Sequence, residues 1–429
     1  DEAAASRAAA LAASRRALAQ TITALELGHI AGRMDEAQFA AWRNELHKRA
    51  DTIATPTLGI TGTGGAGKSS LTDELVRLLE TFVVRRDLHH ARVAIATDEG
   101  QHWSAAIGPA GLSDLRSPPE KPFFTASITK RFIVTLVLQA YERGELDLDA
   151  PITAYLPTET TAGLHVLDGV DRTAAITVRH LLSHTSGLPD YFEVRDGGPS
   201  LHQRLEAGED AGWTFDDILR LTRARRPHFP PQDLAAPRQK ARYCDTGFQL
   251  LIRILEAATG RGFGGLLGDR IIDPLGLTQT WLPGHQPAAT ASAPFPIYAK
   301  QRRVDLPSVI ASSNDLVSTT GDLITFQRAL LRGELFRDAT TVDLLTERRN
   351  RLRDIPVLQY GLGTMFFTVG RLMSAGRRPV TLVGHSGSTG TWLFHCPERG
   401  LHLAGTVDQV KGQALPFRLM ARLLYTWPR

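Results

Sequence analysis

The sequence has few cysteines and no long apolar run. Cys244 and Cys396 are its two cysteines in 429 residues, so no disulfide framework can hold a chain of this length, and a reducing compartment suits it. No stretch approaches the ~20 apolar residues of a membrane-spanning helix, and the first residues lack the pattern of a signal peptide. These absences favour a cytoplasmic chain without a membrane segment.

An excess of charge of one sign is also lacking. Lys and Arg number 49 against 45 Asp and Glu, which leaves a net charge of +4 at pH 7. Basic residues cluster near Arg225 and Arg351 without interleaved aromatics, so we interpret these clusters as solvated faces and expect no nucleic-acid partner. With 42% hydrophobic residues, the composition is that of a globular chain with a large core.

A phosphate-binding loop is present near the amino end. Residues 62–69 read GTGGAGKS and match G-x-x-x-x-G-K-[ST] through Gly62, Gly67, Lys68 and Ser69. A short β-branched strand is predicted before the loop and an amphipathic helix after it. This context brings backbone N–H groups and a helix N-terminus together, so binding of a nucleotide at these four residues is one hypothesis.

The features that a triphosphatase needs beyond this loop are missing. No apolar strand ends in a suitable Asp within reach, and the base-reading Asn-Lys-x-Asp does not occur. Residues from about 3 to 80 resemble the linker and first βα unit of the GTPase domain in the fused isobutyryl-CoA mutase family, and this resemblance stops near Thr81. It implies GTP binding, which stays open as an alternative function.

The chain changes character after Arg86. ARVAIATDEGQHWSAAIG alternates apolar residues around a polar tight turn, which predicts a β-hairpin. The helix predicted from about Ala126 to Arg143 is apolar nearly all round, as expected for a helix at the centre of a domain. We therefore predict a helical and single-βα appendage over residues 1–85 and a main domain over residues 86–429.

A serine and a lysine stand near the start of this buried helix. Ser127 and Lys130 are three residues apart and thus on one helix face, where the ammonium can help to activate the hydroxyl. The S-x-x-K pattern alone is common by chance. A charged lysine at the dry end of a buried helix is nevertheless costly without partners, which favours a functional pair.

Two further motifs follow in the order expected of penicillin-recognising serine hydrolases. Residues 243–245 read Tyr-Cys-Asp where Tyr-x-Asn is common, and residues 385–387 read His-Ser-Gly where Lys-Thr-Gly or His-Thr-Gly is common. Residues from about 88 to 425 resemble the serine β-lactamase-like family in its class C, D-alanyl-D-alanine carboxypeptidase and esterase branch. The resemblance implies an α+β, β-lactamase/transpeptidase-like fold: an antiparallel sheet flanked by helices, with a mostly helical insertion at about 145–345.

The resemblance also implies roles for individual residues. Ser127 is the expected nucleophile, Lys130 its activator and Tyr243 the general base, which needs a nearby cation because its ordinary pKa is ~10. The backbone N–H groups of Ser127 and Ser388 are the expected oxyanion hole. The implied activity is hydrolysis of a small-molecule ester, amide or peptide through an acyl-enzyme, without cofactor or metal.

The chain departs from the family pattern at two of these positions. His385, expected to be catalytic, replaces a lysine and supplies little fixed positive charge at pH 7. Asp245 replaces an asparagine and, with Ser386 and Gly387, is expected to bind substrate. Both replacements fit an esterase or a D-amino-acid peptidase at least as well as a β-lactamase, and they leave a catalytically silent binding protein as an alternative.

Two other hydrolytic sites fit the sequence poorly. An α/β-hydrolase with Ser386 as nucleophile would need its acid before its histidine, whereas His402 precedes Asp408 and no histidine follows. A zinc hydrolase using His180 and His184 would need a glutamate where leucine stands. We therefore expect both histidines to be structural.

Overall fold

The structure is a computed structural model that describes residues 68–108, 121–285, 294–371, 373 and 376–428. Lys68 and Ser69 open its first helix, whereas Gly62, Gly67 and the elements predicted before them lie outside the described residues. The α-helices are α1 Lys68–Arg85, α2 Thr129–Glu142, α3 Thr158–Thr161, α4 Val178–Leu182, α5 Leu201–Ala207, α6 Phe215–Arg223, α7 Asp245–Thr259, α8 Phe263–Leu267, α9 Asp273–Leu275, α10 Pro307–Ser312, α11 Thr320–Leu331 and α12 Leu415–Thr426.

The strands are short except in the central sheet. They are β1 Ala91–Thr97, β2 His102–Ile107, β3 Phe123–Phe124, β4 Val166–Leu167, β5 Val170–Asp171, β6 Ile297–Ala299, β7 Arg302–Val304, β8 Val317–Ser318, β9 Asn350–Arg351, β10 Leu358–Tyr360, β11 Met365–Val369, β12 Val380–Gly387, β13 Thr391–Cys396 and β14 Leu401–Thr406.

Eight strands form one antiparallel sheet in the order β2-β1-β14-β13-β12-β11-β10-β9. The hairpin expected around Asp98 is β1-β2, and the first strand of this hairpin pairs with the last strand of the sheet in the chain, with Arg92 opposite Thr406. The antiparallel sheet with flanking helices confirms the predicted fold class.

The sheet is covered by apolar side chains on both faces. Along β1, Val93 and Ile95 join one hydrophobic cluster, and the alternate residues Ala94 and Ala96 join another, because successive side chains of a strand point to opposite faces. The second face carries α2, in which every residue from Thr129 to Ala140 is buried. This helix has the central position that its apolar sequence predicts.

Helix α1 packs on the first face beside α12. Its residues Leu75, Leu79, Phe82 and Val83 are almost fully buried in the same cluster as Val93 and Ile95. The predicted boundary near residue 86 thus cuts through a shared core. For residues 1–67 the separate appendage stays a prediction.

The described elements between β2 and β9 are mainly helices joined by loops. The predicted insertion at about 145–345 contains α3 to α11, together with short two-stranded sheets. None of the helices that the structure describes is both long and apolar enough to cross a bilayer. The insertion and the sheet enclose the candidate site between them.

Candidate active site

Ser127 lies in a constrained turn between β3 and α2. The preceding residue, Ala126, is buried and has a φ of 49°, a conformation that costs about 1–3 kcal/mol for a residue with a side chain. Hydrogen bonds hold the turn: Thr391 Oγ1 donates to the Thr125 carbonyl at 2.8 Å, and Thr125 Oγ1 donates to the Leu316 carbonyl at 2.8 Å. The nucleophile expected from the sequence is therefore fixed by β13 and by the segment before β8.

Three of the predicted site residues meet at the Ser127 hydroxyl. Lys130 Nζ and Tyr243 Oη each donate to Ser127 Oγ at 3.0 Å. Lys130 reaches it from the next turn of the helix, as the spacing of three residues predicts. Tyr243 comes from the extended segment immediately before α7.

Lys130 also forms an ion pair with Asp245, the first residue of α7. Its Nζ lies 2.5 Å from Asp245 Oδ1, and 6% of the lysine side chain is exposed. Burial lowers the pKa of Lys130, but the carboxylates of Asp245 and Asp315 outweigh burial and raise the pKa above its ordinary value. Lys130 is thus an ammonium at neutral pH and links Ser127 to a carboxylate.

Tyr243 is held as a neutral phenol. Burial, and next the charge of Asp245, raise its pKa well above the ordinary value, while the hydrogen bond with Ser127 acts in the opposite direction. The sequence led us to expect that Lys130 would prepare Tyr243 to lose a proton. The carboxylate of Asp245 acts against this proton loss, because its negative charge raises the pKa of Tyr243.

His385 lies behind these groups and is fully buried. Its Nδ1 donates to the Ser386 carbonyl at 2.8 Å, so Nε2 accepts from Tyr360 Oη at 2.9 Å. Burial, and next the positive charge of Lys130, lower its pKa well below the ordinary value. His385 is therefore a neutral imidazole that contacts Tyr360, and its catalytic role stays a prediction.

The rest of the third motif supports the nucleophile turn. A side chain at Gly387 would place Cβ 2.2 Å from Thr391 Oγ1 and 2.7 Å from the Thr125 carbonyl. Ser386 Oγ donates to the sulfur of Met365 at 3.5 Å. The expected substrate contacts of Ser386 and Gly387 stay predictions.

A pocket opens at Ser127 Oγ. Ser388, the second expected oxyanion donor, lines it together with Ser127 and three charged residues. Apolar and aromatic side chains form most of its remaining wall. The lining residues are Phe124, Ser127, Lys130, Ile133, Tyr191, Phe192, Leu205, Trp213, Asp245, Phe248, Gln249, Val309, Ser313, Asp315 and Ser388.

The sequence did not assign three residues to the site: Asp315, Tyr360 and His184, the last of which we expected to be structural. Asp315 lines the pocket, and burial raises its pKa to about 6. The ring of His184 lies 4.5 Å from that of Tyr243 and 4.3 Å from that of Tyr360, measured between centroids. No motif distinguishes these residues, because their partners are far away in the sequence.

The two alternative hydrolytic sites do not assemble in the described residues. His180 uses Nδ1 in the N-cap of α4 with Thr177 and Nε2 against the Gln232 carbonyl at 2.6 Å. His402 pairs with Asp98 and not with Ser386. Both histidine-based alternatives are therefore wrong in geometry as well as in motif.

Known proteins of two different kinds match different parts of the chain. The model of the family described as Beta-lactamase matches residues 75–425. The chain is 31% identical over 207 residues to penicillin-binding protein 4 of Amycolatopsis lactamdurans, an alignment that covers 47% of each protein. The solved structure of a D-stereospecific amidohydrolase from Streptomyces sp. superposes with a TM-score of 0.62 at 27% identity, over 81% of this chain and 97% of that one.

A different relative matches a short piece of the chain. The fused isobutyryl-CoA mutase of Cupriavidus metallidurans is 58% identical over 67 residues, which are 16% of this chain and 5% of the mutase. The chain spans about half or less of the length of these two curated relatives. Because the Beta-lactamase match covers most of the sequence and includes Ser127, Lys130 and Tyr243, the chain belongs to the beta-lactamase family.

Proposed function

We propose that the protein is a serine hydrolase that cleaves an ester or amide through an acyl-enzyme at Ser127. The observation that carries the proposal is the position of Ser127 Oγ, which lies 3.0 Å from both Lys130 Nζ and Tyr243 Oη at the opening of a pocket. Two donors orient the hydroxyl, and the ammonium stabilises the alkoxide that forms as its proton leaves.

The first half of the reaction uses the Lys130–Asp245 pair. Lys130 passes a proton to Asp245 across the 2.5 Å contact, and its amine then takes the proton of Ser127 Oγ as that oxygen attacks the carbonyl carbon. The raised pKa of Tyr243 favours Asp245 over Tyr243 as the final acceptor. Backbone N–H groups of Ser127 and Ser388 would hold the oxyanion.

The second half reverses the proton path. The leaving oxygen or nitrogen receives the proton as its bond to the carbonyl carbon breaks, which leaves the acyl group on Ser127. Water then attacks the acyl carbon, its proton follows the same path, and the ester bond to Ser127 breaks with return of the hydroxyl proton. Tyr243 orients Oγ in both halves.

The pocket supports a neutral or amine-bearing substrate with an apolar or aromatic group. Its wall includes Phe192, Trp213 and Phe248, and its carboxylates are Asp245 and Asp315. Lys130 is the one basic side chain among its lining residues, and it is already paired. A substrate ammonium would be attracted, whereas the carboxylate of a β-lactam would lack a free cation.

An activity panel tests the proposal. Wild type, Ser127→Ala and the exposed-serine control Ser308→Ala would be treated with a fluorophosphonate probe, p-nitrophenyl acetate, D- and L-phenylalanine amide, and a chromogenic cephalosporin. We expect labelling and ester or amide turnover in wild type and in the control, both lost in Ser127→Ala, and poor cephalosporin turnover. Full activity of Ser127→Ala would contradict the proposed nucleophile.

A further inference from the structure

A histidine-rich cluster lies at the end of the sheet away from Ser127. His395 of β13 and His402 of β14 are directly opposite each other in the strand register, and their rings stack with centroids 4.5 Å apart. Asp98 follows β1 in the turn of the first hairpin, and its Oδ1 lies 2.8 Å from His402 Nε2 and 3.4 Å from His395 Nε2. The cluster brings together side chains from β13, from β14 and from the turn that follows β1.

We propose that Asp98, His395 and His402 form a binding site for a divalent transition metal ion of the zinc type. One ligand atom from each residue lies within 4.8 Å of the other two. Ligands that hold zinc at ~2.1 Å lie at most ~4.2 Å from one another, so small side-chain rotations complete the site. A water molecule or a substrate group would take the fourth position.

The surroundings of the imidazoles support metal binding over a hydrogen-bonded cluster alone. His395 Nε2 is shielded from solvent and has no well-aligned hydrogen-bond partner in the described part of the chain. Gln327 places an amide atom 3.4 Å from His402 Nδ1, and its own Oε1 is buried without a partner there. Exchanging the two amide atoms lets Nδ1–H donate to Oε1, which frees Nε2 as a ligand.

The chemistry of the cluster selects among metals. Two imidazoles and one carboxylate suit zinc and its neighbours, whereas calcium and magnesium require several oxygen ligands. Arg328 and Arg332 donate to the main-chain oxygen of Asp98 at 3.0 and 3.4 Å. Their charges oppose a cation held weakly by one carboxylate, so the imidazole nitrogens must supply most of the binding.

The site is separate from the catalytic residues and joins elements of the sheet. His395 is four residues along β13 from Thr391, which contacts the nucleophile turn, and this spacing corresponds to about 13 Å. A bound ion would tie the β1-β2 turn to the β13-β14 hairpin. Because the metal binds the folded chain and not the dispersed ligands of the unfolded one, it should raise the melting temperature.

Zinc binding to the full chain tests this inference. The chain would be treated with chelator, dialysed, and titrated with ZnCl2 at pH 7.5 by calorimetry and thermal melting, with MgCl2 as the contrast. We expect saturable zinc binding with a micromolar or lower Kd and a melting temperature raised by ~2–4 °C, with no effect of magnesium. Absence of zinc binding at 100-fold the protein concentration would overturn the proposal.

Variants locate the ion. Asp98→Asn at an exposed residue and His395→Gln at a partly buried one should each weaken binding at least tenfold, whereas His202→Gln, at a partly buried histidine beside Glu206, should leave it unchanged. Circular dichroism of each variant checks folding, and Co2+ in place of zinc should give the visible absorption of a tetrahedral site in wild type and not in His395→Gln. Unchanged zinc affinity in both cluster variants would also overturn the inference.

Discussion

At the residue scale, the replacement of an asparagine by Asp245 changes the charge of the site. The carboxylate contacts Lys130, raises the pKa of Lys130 and raises that of Tyr243. An amide at this position would do neither. The second motif therefore supplies a candidate proton acceptor in this chain, where family members with Tyr-x-Asn have a neutral group.

Asp245→Asn tests this role. We expect kcat/KM for an ester to fall by about 10²-fold at pH 7, the scale of a lost general base. Without the charge of Asp245, the pKa of Lys130 falls, because burial lowers it. The alkaline limb of the pH profile then moves to lower pH. Exposed Asp216→Asn on α6 is the control, and a variant with wild-type rate and pH profile would contradict the relay through Asp245.

Asp315 should make stability depend on pH. Burial raises its pKa from 3.8 to about 6, so the folded state favours the protonated form. The stabilisation is complete below pH ~4 and is lost as the pH rises through 6, a cost of order 1–3 kcal/mol. Asp315→Asn, which mimics the protonated acid, should therefore melt higher than wild type at pH 8 and equally at pH 4. A lower melting temperature at pH 8 would contradict this sign.

At the scale of elements, the end of β12 and the turn before α2 form one unit. Gly387, Thr391 and Thr125 approach so closely that a methyl group has no space. The strained φ of Ala126 depends on this contact for its support. The position of Ser127 is thus set by a strand that lies 260 residues later in the chain.

Gly387→Ala tests that dependence. Its Cβ would approach Thr391 Oγ1 to 2.2 Å, so β12 or the Ser127 turn must move. We expect a loss of at least about 2 kcal/mol in the free energy of unfolding and a larger loss in kcat than in substrate affinity. Gly321→Ala in α11, where the nearest atom is 3.9 Å away, should be close to neutral. If both variants had the same free energy of unfolding in urea, the close contact of Gly387 with Thr391 would not be needed for stability.

The sequence predicted elements whose pattern is local. The β1-β2 hairpin follows from alternation around Asp98, and the burial of α2 follows from its apolar sequence. The sites of Ser127, Lys130 and Tyr243 follow from motifs with fixed order. The ion pair of Lys130 with Asp245, the tilted contact of His184 with Tyr243 and the cluster around Asp98 could not be predicted, because each depends on how distant segments meet.

At the scale of the whole molecule, α1 overlaps both the mutase-like segment, which ends near Thr81, and the Beta-lactamase match, which begins at residue 75. It begins at Lys68 and Ser69 of the phosphate-binding loop and buries Leu75, Leu79 and Phe82 against the eight-stranded sheet. The family match accordingly begins at residue 75, before the predicted boundary. The helix that comes after the phosphate-binding loop thus also covers one face of the sheet.

Two truncations distinguish these roles. Removal of residues 1–67 leaves α1 and should preserve ester turnover and keep the melting temperature within a few degrees. Removal of residues 1–85 exposes the cluster around Leu419 and Leu423 that α1 covers and should lower the melting temperature by more than 5 °C or give insoluble protein. Equal stability of the two truncations, measured by thermal melting, would contradict a structural role for α1.

The pairing of β1 with β14 has a consequence for synthesis of the chain. The sheet cannot close until residues 401–406 have left the ribosome, although its first strand was made about 300 residues earlier. Loop closure over that distance is slow. Helices of the insertion can form meanwhile, but the turn that holds Ser127 gains its support only when β12 and β13 arrive. A nascent chain that stalls before β12 should therefore be inactive, and the proposed acyl-enzyme would form only on nearly completed molecules.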